Sequence, residues 1–408
     1  MKSQWLKPVE IEKLSVRKLR ALIKHSYENV PYYHKIFKER NLSPEDIKSV
    51  KDLQKLPPLT KRIIRENFDK LIASNFPVKD LVPWSTTGTT EPFKFMQDRD
   101  SLMWINAAVL RSFYWVGYRR FDKLVNVWGF PKDLHSWKPW QRQLTISTFG
   151  ADDQRIKYYV KLIKNFKPKG IRGYASSLYI LAKQASGIKL DFAISTSEVL
   201  YDHYRKLIER KFGCEVYDNY SSREFMIASE CKQHIGYHIA AENVIVEFVR
   251  DDEHVAPGER GEILITDLTK YGMPFIRYKI GDVGRFSNEV CPCGRGLPLM
   301  GSIEGRTQDI IFTPHGKFVG FGFGSIFQDL NIEQFQLVQK TKDELVVRIV
   351  KDQRYSEVDT QFILDQFRKY LGADMKLEVK FVDKIPVTKS GKRLVVVSRV
   401  NTFKEKLR

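Results

Sequence analysis

Residues 169–220 decide the fold of this chain, and they read KGIRGYASSLYILAKQASGIKLDFAISTSEVLYDHYRKLIERKFGCEVYDNY. Short apolar segments with strand character (KGIRGYA, FAISTSE and EVYDNY) alternate here with segments of helical spacing (SSLYILAKQAS and YDHYRKLIERKFG). Residues 123–166 extend the alternation towards the N-terminus with the strand-like KLVNVWGF and the helical DQRIKYYVKLIKNF. This alternation predicts a mostly parallel sheet whose faces are covered by helices.

The sequence changes in character on both sides of this stretch. The first 70 residues predict helices joined by turns, and after residue 240 strand-like segments such as AENVIVEFV are separated by tight turns. Near the C-terminus, the strand-like ELVVRIV and LEVKFV flank the helical EVDTQFILDQFRKYL. We therefore predict an α/β protein with a large N-terminal domain (1–307) that includes a β-rich subdomain. A small, mobile α+β domain (308–408) follows a hinge near Gln308.

The composition is that of a folded protein with a basic surface. The 408 residues are 42% hydrophobic, and Lys plus Arg exceed Asp plus Glu by 68 − 49 = 19. The excess is spread along the chain, which favours binding of anionic small molecules over a dedicated nucleic-acid or lipid surface. No apolar run reaches the roughly 18 residues of a membrane span, and the first residues show no secretory signal. We therefore expect a cytoplasmic protein with no transmembrane segment.

A hydroxyl-rich loop precedes the strand-like FKFM. The loop and the lysine after it comprise Ser85, Thr86, Thr87, Gly88, Thr89, Thr90 and Lys94. Backbone N–H groups and hydroxyls around a glycine suit a polyphosphate, although the Walker A pattern is absent. An ordinary solvated loop is the alternative interpretation.

A second polar cluster follows the strand-like EVYDNY. It consists of Asn219, Tyr220, Ser221, Arg223 and Glu224, at the carboxyl end of a predicted parallel strand, where α/β sheets bind ligands. A glutamate at the surface of such a cleft suits Mg²⁺ beside phosphates, and the tyrosine suits a base. A surface pair of Arg223 and Glu224 is the simpler alternative.

Three further segments carry charged groups that suit a nucleotide. RYKIGD ends at Asp282, a carboxylate after a glycine that suits the two hydroxyls of a ribose. GRTQD contains Arg306, whose guanidinium suits phosphate or ribose oxygens. SGK near the C-terminus contains Lys392, which taken alone predicts only a solvated cationic turn.

Taken in order along the chain, these motifs resemble the core series of the acyl-adenylate-forming enzymes. Within that superfamily the sequence is most similar to the phenylacetate-CoA ligase-like branch, and especially to its members associated with capsular polysaccharide biosynthesis. The resemblance spans residues 15 to about 395. Its closest segments are YENVPYY (27–33), RGY (172–174), SREF (222–225), AENV (241–244) and CPCGRG (291–296).

The resemblance implies a reaction in two steps. A carboxylate attacks the α-phosphate of ATP to give an acyl-AMP, and a thiol or an amine then takes the acyl group while the small domain rotates. The implied partners are therefore a small carboxylic acid, ATP with Mg²⁺, and CoA or an amine. The implied roles are phosphate binding by the loop 85–90, Mg²⁺ binding by Glu224, adenine contact by Tyr220, ribose binding by Asp282, ribose or phosphate contact by Arg306, and bridging of the carboxylate and the α-phosphate by Lys392.

Three positions depart from the pattern of the resembled family. Glu91 stands where the loop usually has glycine, and it adds negative charge beside the phosphates. Arg223 replaces a hydroxyl residue and still favours an anion. Gln308 occupies a hinge position that is often Asp or Lys, but a hinge needs backbone freedom more than a charge.

The cysteines and one histidine predict a structural zinc site. Cys231 and His238 form one ligand pair, and Cys291 and Cys293 form a C-x-C pair farther along the chain. Members of the resembled branch carry a similar set. His234 is the alternative fourth ligand, and unrelated cytosolic thiols are the alternative interpretation.

The sequence leaves the acid, the acceptor and the oligomeric state, monomer or homodimer, open. Trp128, Phe130 and Tyr174 are candidates for lining the acyl pocket, although aromatic residues at strand ends more often belong to the core. The second function considered is a family member that has lost catalysis and acts as a nucleic-acid or envelope-associated binding protein. Glu91 and the net charge of +19 support that alternative.

Overall fold

The computed structural model describes most of the chain. The described residues are 2–85, 93–128, 135–138, 140, 142–148, 151, 153–306, 310–314, 318–320, 326–327, 330–386, 394–398 and 400. Its helices are α1 (Pro8–Asn29), α2 (Pro31–Glu39), α3 (Lys61–Glu66), α4 (Phe68–Leu71), α5 (Arg99–Trp115), α6 (Asp153–Phe166), α7 (Ala175–Gln184), α8 (Asp202–Phe212) and α9 (Glu357–Leu371).

The strands fall into one large sheet and three small ones. In chain order they are β1 (Val82–Ser85), β2 (Lys94–Gln97), β3 (Leu124–Trp128), β4 (His135–Lys138), β5 (Gln143–Ser147), β6 (Gly170–Tyr174), β7 (Phe192–Thr196), β8 (Glu215–Ser221), β9 (Met226–Glu230), β10 (Tyr237–Ile239), β11 (Val244–Arg250), β12 (Glu253–His254), β13 (Arg260–Asp267), β14 (Tyr278–Ser287), β15 (Leu299–Arg306), β16 (Ile310–Phe312), β17 (Phe318–Gly320), β18 (Ile332–Thr341), β19 (Glu344–Lys351), β20 (Lys376–Phe381) and β21 (Val396–Ser398).

The large sheet has 13 strands in the order β12-β11-β13-β14-β15-β10-β9-β8-β7-β6-β3-β5-β4. Strands β5, β3, β6, β7 and β8 are parallel neighbours, and α6, α7 and α8 follow β5, β6 and β7 along the chain. The predicted α/β alternation is confirmed. We call these five strands the parallel half of the sheet.

The β-rich segment after β8 is continuous with the parallel half. Strand β9 pairs antiparallel with β8, because only residues 222–225 separate them, far fewer than the dozen or so that a parallel crossover needs. Strands β9 to β15 therefore extend the same sheet, and we call them the antiparallel half. The sheet as a whole is mixed rather than mostly parallel, and the predicted β-rich subdomain is the second half of this sheet.

The two faces of the parallel half have different covers. Val125, Ile171 and Ala193 belong to a core formed with α6, α7 and α8. Leu124, one residue before Val125, and Ile194, one residue after Ala193, belong to the larger core on the opposite face. Helix α5 lies on that opposite face, where the Nδ2 group of Asn219 donates to Ser112 Oγ at 3.1 Å.

A fully buried arginine stabilises the antiparallel half. Arg277, just before β14, has no exposed side-chain surface, and its Nε donates to Glu247 at 3.1 Å. Its remaining nitrogens donate to the Leu56 carbonyl at 2.8 Å and lie 3.1 Å from an Asp252 oxygen. The guanidinium is therefore compensated both by charge and by hydrogen bonds.

The C-terminal part of the described chain has its own sheet and core. The sheet has the order β20-β19-β18-β21, and its buried residues pack against α9. It contacts the N-terminal part through Lys183 and Glu333, whose charged atoms are 3.8 Å apart. Gln308, the predicted hinge, lies outside the described residues. Among the helices of the described chain, none is both long and apolar enough to cross a bilayer.

Candidate functional site

The candidate site lies where the parallel half meets the antiparallel half. Strand β8 ends there with Tyr220, whose hydroxyl donates to Asp282 Oδ2 at 2.8 Å. Asp282 is in turn the ladder partner of Arg306 in β14 and β15. The fold therefore brings three residues that were predicted to bind the nucleotide to one region. The position of Arg306 is known from its backbone pairing with Asp282.

The ends of the hydroxyl-rich loop lie at the same region. Ser85 closes β1 and is the ladder partner of Lys94 in β2, so the loop is the connection of a β-hairpin. The guanidinium of Arg223 donates to the Ser85 carbonyl at 3.2 Å. Arg223 thus holds the start of the loop against the β8 motif, which the sequence did not predict. Residues 86–90 and Glu91 lie outside the described residues.

Glu224 is buried, which corrects the expectation that it lies on the cleft surface. Its side chain and backbone together are 4% exposed. Oε1 accepts from the Tyr278 hydroxyl at 3.2 Å, and the backbone carbonyl accepts from Gln97 Nε2 at 3.4 Å. The cover comes from β14 and β2, which are distant in sequence, so residue-by-residue interpretation could not find it. A buried carboxylate retains the hard oxygen ligands that Mg²⁺ prefers.

A second buried charge near Glu224 was missed by the sequence analysis. Lys270 is fully buried, with its Nζ 4.9, 5.0 and 4.4 Å from the ring centres of Phe95, Phe225 and Phe275. Burial lowers the pKa of Lys270, while the charges of Asp267 and Glu224 oppose that change. In the sequence, the one feature that indicated a buried environment for Lys270 was the apolar segment MPFI, which begins three residues later. Lys270 contributes a positive charge beside the Mg²⁺ candidate.

The other β8 residues face the neighbouring elements. Besides the contact between Asn219 and Ser112, the Ser221 hydroxyl lies 3.1 Å from that of Thr196 on β7. Trp128 and Tyr174 meet edge to face at 5.4 Å between ring centres, at the ends of β3 and β6. Phe130 and Lys392 lie outside the described residues.

A separate cluster of three cysteines and one histidine lies around β10. The ligand atoms of Cys231, His238, Cys291 and Cys293 all lie within 4.8 Å of one another. Cys231 Sγ is 3.6 Å from Cys291 Sγ, and Cys293 Sγ is 3.3 Å from His238 Nε2. Tetrahedral zinc with bonds of about 2.0–2.3 Å separates its ligands by roughly 3.4–3.8 Å. The donor set and its spacing fit zinc.

The surroundings of the cluster set the protonation of its members. His238 Nδ1 lies 3.4 Å from the Leu297 carbonyl, which favours a proton on Nδ1 and leaves Nε2 facing the sulfur atoms. Burial lowers the pKa of His238 to about 4, so the ring is neutral at pH 7. Burial raises the pKa of the Cys231 thiol to about 12. Burial also opposes ionisation of Cys293, but hydrogen bonds from Arg295 lower its pKa.

His234, the alternative zinc ligand, lies elsewhere in the structure. Its ring stacks on Tyr217 at 4.9 Å, and its Nδ1 lies 3.5 Å from Glu230 Oε2. Glu230 also accepts two hydrogen bonds from Arg205, at 2.9 and 3.0 Å. The structure therefore joins His238, and not His234, to the cysteines.

Comparisons with known proteins agree with this arrangement. Residues 311–399 match the model of the CapK C-terminal domain. Protein CapK of Staphylococcus aureus is 25% identical over 398 residues, which cover 91% of this chain and 86% of CapK. The phenylacetate-coenzyme A ligase of Escherichia coli K12 is 30% identical over 325 residues, covering 74% of this chain and 72% of that enzyme. A crystal structure of 2-hydroxyisobutyryl-CoA ligase in the postadenylation state matches with a TM-score of 0.77 at 20% identity, covering 100% of this chain and 93% of that one.

The sequence relatives CapK and phenylacetate-coenzyme A ligase, together with a fold that matches a CoA ligase solved with an acyl-AMP, place the chain in the class of acyl-adenylate-forming ligases. Within that class, the 30% identity with the phenylacetate-coenzyme A ligase of Escherichia coli over 74% of this chain identifies the family. The chain belongs to the phenylacetate-coenzyme A ligase family.

Proposed function

We propose that this protein is an ATP-dependent acid–CoA ligase that forms an acyl-adenylate and passes the acyl group to the thiol of CoA. The observation that carries the proposal is the convergence of Tyr220, Asp282, Glu224, Arg223 and the two ends of the loop 85–94 at the carboxyl end of β8. In open α/β sheets, ligands bind at this position, outside the strand ends where the strand order changes.

The described residues have distinct roles in this proposal. Asp282 accepts hydrogen bonds from the ribose hydroxyls, and Tyr220, which donates to Asp282, holds that carboxylate in place beside the adenine. Arg223 positions the phosphate loop through its contact with Ser85. Glu224 is the residue that would hold Mg²⁺, which when bound neutralises phosphate charge as the α-phosphate is attacked. Lys392 of the C-terminal domain (308–408, after a hinge near Gln308) supplies a further positive charge at the α-phosphate.

An amine acceptor is the second candidate for the transfer step. The match to CapK extends over 398 residues, whereas the match to the Escherichia coli ligase extends over 325. The C-terminal residues 311–399 also match the CapK domain. In the resembled enzymes, the small domain meets the acceptor. The likeness of this domain to that of CapK therefore favours an amine, such as an amino sugar or an amino acid, as the second candidate.

The two acceptors are separated by one assay. We would measure pyrophosphate release from ATP with a panel of carboxylic acids, alone, with CoA, and with an amino sugar or amino acid. A thioester ligase gives rapid turnover only with CoA, and an amide-forming ligase only with the amine. An absence of acid-dependent pyrophosphate release under all conditions would overturn the proposed function and favour the non-catalytic binding protein.

We further propose that Cys231, His238, Cys291 and Cys293 hold a structural Zn²⁺. The cluster joins β10 to the turn before β15 and to α5, since the Trp115 ring meets His238 edge to face at 5.5 Å. Structural zinc contributes to folding directly. Protein purified without chelator should contain about one zinc per chain, and Cys293→Ser should lower the melting temperature more than Cys214→Ser, which changes a thiol outside the cluster. Metal-free protein with unaltered stability would contradict this site.

A further inference from the structure

Arg172 is a partly exposed arginine that has no charged partner among the described residues. It lies on β6, two residues before the strand end, with its guanidinium carbon 5.2 Å from the ring centre of Phe113 and 5.1 Å from that of Trp128. The Nε atom is fully buried and has no hydrogen-bond partner. Among the described residues, no carboxylate forms an ion pair with this guanidinium.

Keeping such a group charged is costly. Burial alone lowers the pKa of Arg172 to about 10, and no neighbouring carboxylate acts to raise it. Two aromatic rings offset part of this cost by cation–π attraction, but they accept none of the N–H groups of a guanidinium. Buried polar groups that lack hydrogen-bond partners are typical of binding sites.

The register of the sheet locates Arg172 relative to the candidate site. Arg172 is the ladder partner of Asn126 on β3 and of Ile194 on β7, so it shares with Tyr174 the face that α5 covers. Two residues farther along β6, Tyr174 is the ladder partner of Thr196 on β7, and Thr196 is in turn the partner of Asn219 on β8. Burial and the charge of Glu198 raise the pKa of Tyr174, and the charge of Arg223 acts against that rise, so Arg223 is close enough to Tyr174 to influence it. Arg172 therefore lies two residues before the end of β6 and two strands away from β8, whose end the proposed function assigns to the acyl-adenylate.

The backbone around Arg172 is held rigidly. A Cβ atom on Gly173 would lie 2.5 Å from the Val127 carbonyl oxygen, so only glycine allows β6 to approach β3 this closely. The two rings lie on β3 and on α5, both parts of the regular core. A charged donor that is fixed in advance loses little entropy when it binds a ligand.

We propose that Arg172 is a specificity-determining residue that binds a second carboxylate at the far end of the acid being activated. This inference rests on the proposed function, because it assigns the acyl substrate of the same site. A guanidinium matches a carboxylate with two parallel hydrogen bonds, and it would be left unpaired by an acid with an apolar tail. The substrate class is therefore a dicarboxylic acid, and the aromatic rings beside Arg172 suit one with a flat or aromatic body.

The binding test requires no turnover. We would measure the melting temperature with matched acids, 4-carboxyphenylacetate against phenylacetate and adipate against hexanoate, in the wild type and in Arg172→Met. The diacids should stabilise the wild type more than the monoacids, and this selectivity should disappear in Arg172→Met. Equal effects of the paired acids on the wild type, or unchanged selectivity in the variant, would overturn the proposal.

The kinetic test uses pyrophosphate release with the same acids. The wild type should prefer the diacid in kcat/KM by roughly 10- to 100-fold, as expected for charged hydrogen bonds, and Arg172→Lys should retain part of the preference. Arg62→Met is the matched control, since it removes an arginine whose side chain is 75% exposed. If no acid releases pyrophosphate, the proposed function fails, while the binding test still decides the role of Arg172.

Folding of the variant is itself informative. Because Arg172→Met removes an uncompensated buried charge, we expect its melting temperature without ligand to equal or exceed that of the wild type. A fall of more than about 4 °C would show that Arg172 stabilises the fold, and would contradict a binding role.

Discussion

Two arginines, the fully buried Arg277 and the partly exposed Arg172, distinguish the halves of the large sheet. Arg277, in the antiparallel half, is paired with Glu247 and donates to a backbone carbonyl. Arg172, in the parallel half, touches two aromatic rings and forms no ion pair with any described residue. The same side chain is thus structural where a buried carboxylate and a carbonyl pair with it, and we propose that it is available for a ligand where no described carboxylate does.

This difference predicts how variants in each half should behave. Replacing a residue that pairs with the buried Arg277 in the antiparallel half should lower the free energy of unfolding. The activity per folded molecule should stay unchanged. Replacing a residue of the candidate site should lower activity or change its specificity with less effect on stability. Four measurements test this division.

The largest effect is expected for Glu247→Gln. Breaking a buried ion pair by removing one charge costs about 3–5 kcal/mol, because Arg277 would then keep Asp252, whose side chain is 49% exposed, as its remaining charged partner among the described residues. Urea denaturation should show this loss in the free energy of unfolding. Glu259→Gln is the control, since its side chain is 50% exposed and its partner Arg250 is 58% exposed. Equal stability of the two variants would remove the contrast between the halves.

Lys392→Ala is expected to affect chemistry and not folding. Loss of the positive charge at the α-phosphate should slow acyl-AMP formation by roughly 10²-fold or more. Transfer from a pre-made acyl-AMP should be nearly intact, because in the proposed two-domain mechanism the small domain carries the lysine away before that step. Gln308→Pro should show the opposite bias, since a fixed φ at the hinge hinders rotation. Equal slowing of both half-reactions by Lys392→Ala would contradict the two-domain mechanism.

Glu224→Gln should lower Mg²⁺-dependent adenylation by a factor on the order of 10². Tyr278→Phe is the matched control, because it removes the hydrogen bond to Glu224 and keeps the carboxylate charge. Adenylation should therefore fall much less in Tyr278→Phe, as measured by pyrophosphate release over a range of Mg²⁺ concentrations. If both variants lose the same activity, Glu224 acts through its packing and not as a metal ligand.

The smallest effect is a pH dependence of stability at Asp218 on β8. Burial, and then the charge of Glu230, raises the pKa of Asp218 from 3.8 to about 7. The folded state therefore binds this proton more tightly than the unfolded chain does. The resulting stabilisation is complete below pH 3.8 and is lost as the pH rises through about 7.

Asp218→Asn should flatten this part of the stability profile, which is measured by thermal unfolding between pH 5 and pH 8. Tyr237→Phe is the control: it removes the hydroxyl that donates to Asp218 Oδ2 at 2.9 Å and favours the ionised carboxyl. The slope should persist in Tyr237→Phe and extend to higher pH. A wild-type slope in Asp218→Asn would assign the pH dependence to another group.

The sequence predicted those features that depend on neighbours along the chain. Strands β3, β6, β7 and β8 followed from apolar segments alternating with helices, whereas β4 and β5 were not predicted. The residues of the cysteine cluster followed from their spacing. Features that depend on distant partners were not predicted. Glu224 is covered by Gln97 and Tyr278, and Arg172 lies between rings from α5 and β3. Motif order can identify a site, whereas burial and pairing within it are set by tertiary contacts.

The position of β8 between the two halves has a consequence for how such enzymes diversify. Residues 169–198 contribute β6, α7 and β7. In the large sheet, β7 is the neighbour of β8, which ends at the candidate site. Asp282 and its ladder partner Arg306 lie on the other side of β8 in the sheet order. On the proposed function, we expect an exchange of the segment 169–198 to change the preferred acid while β14 and β15 stay in place.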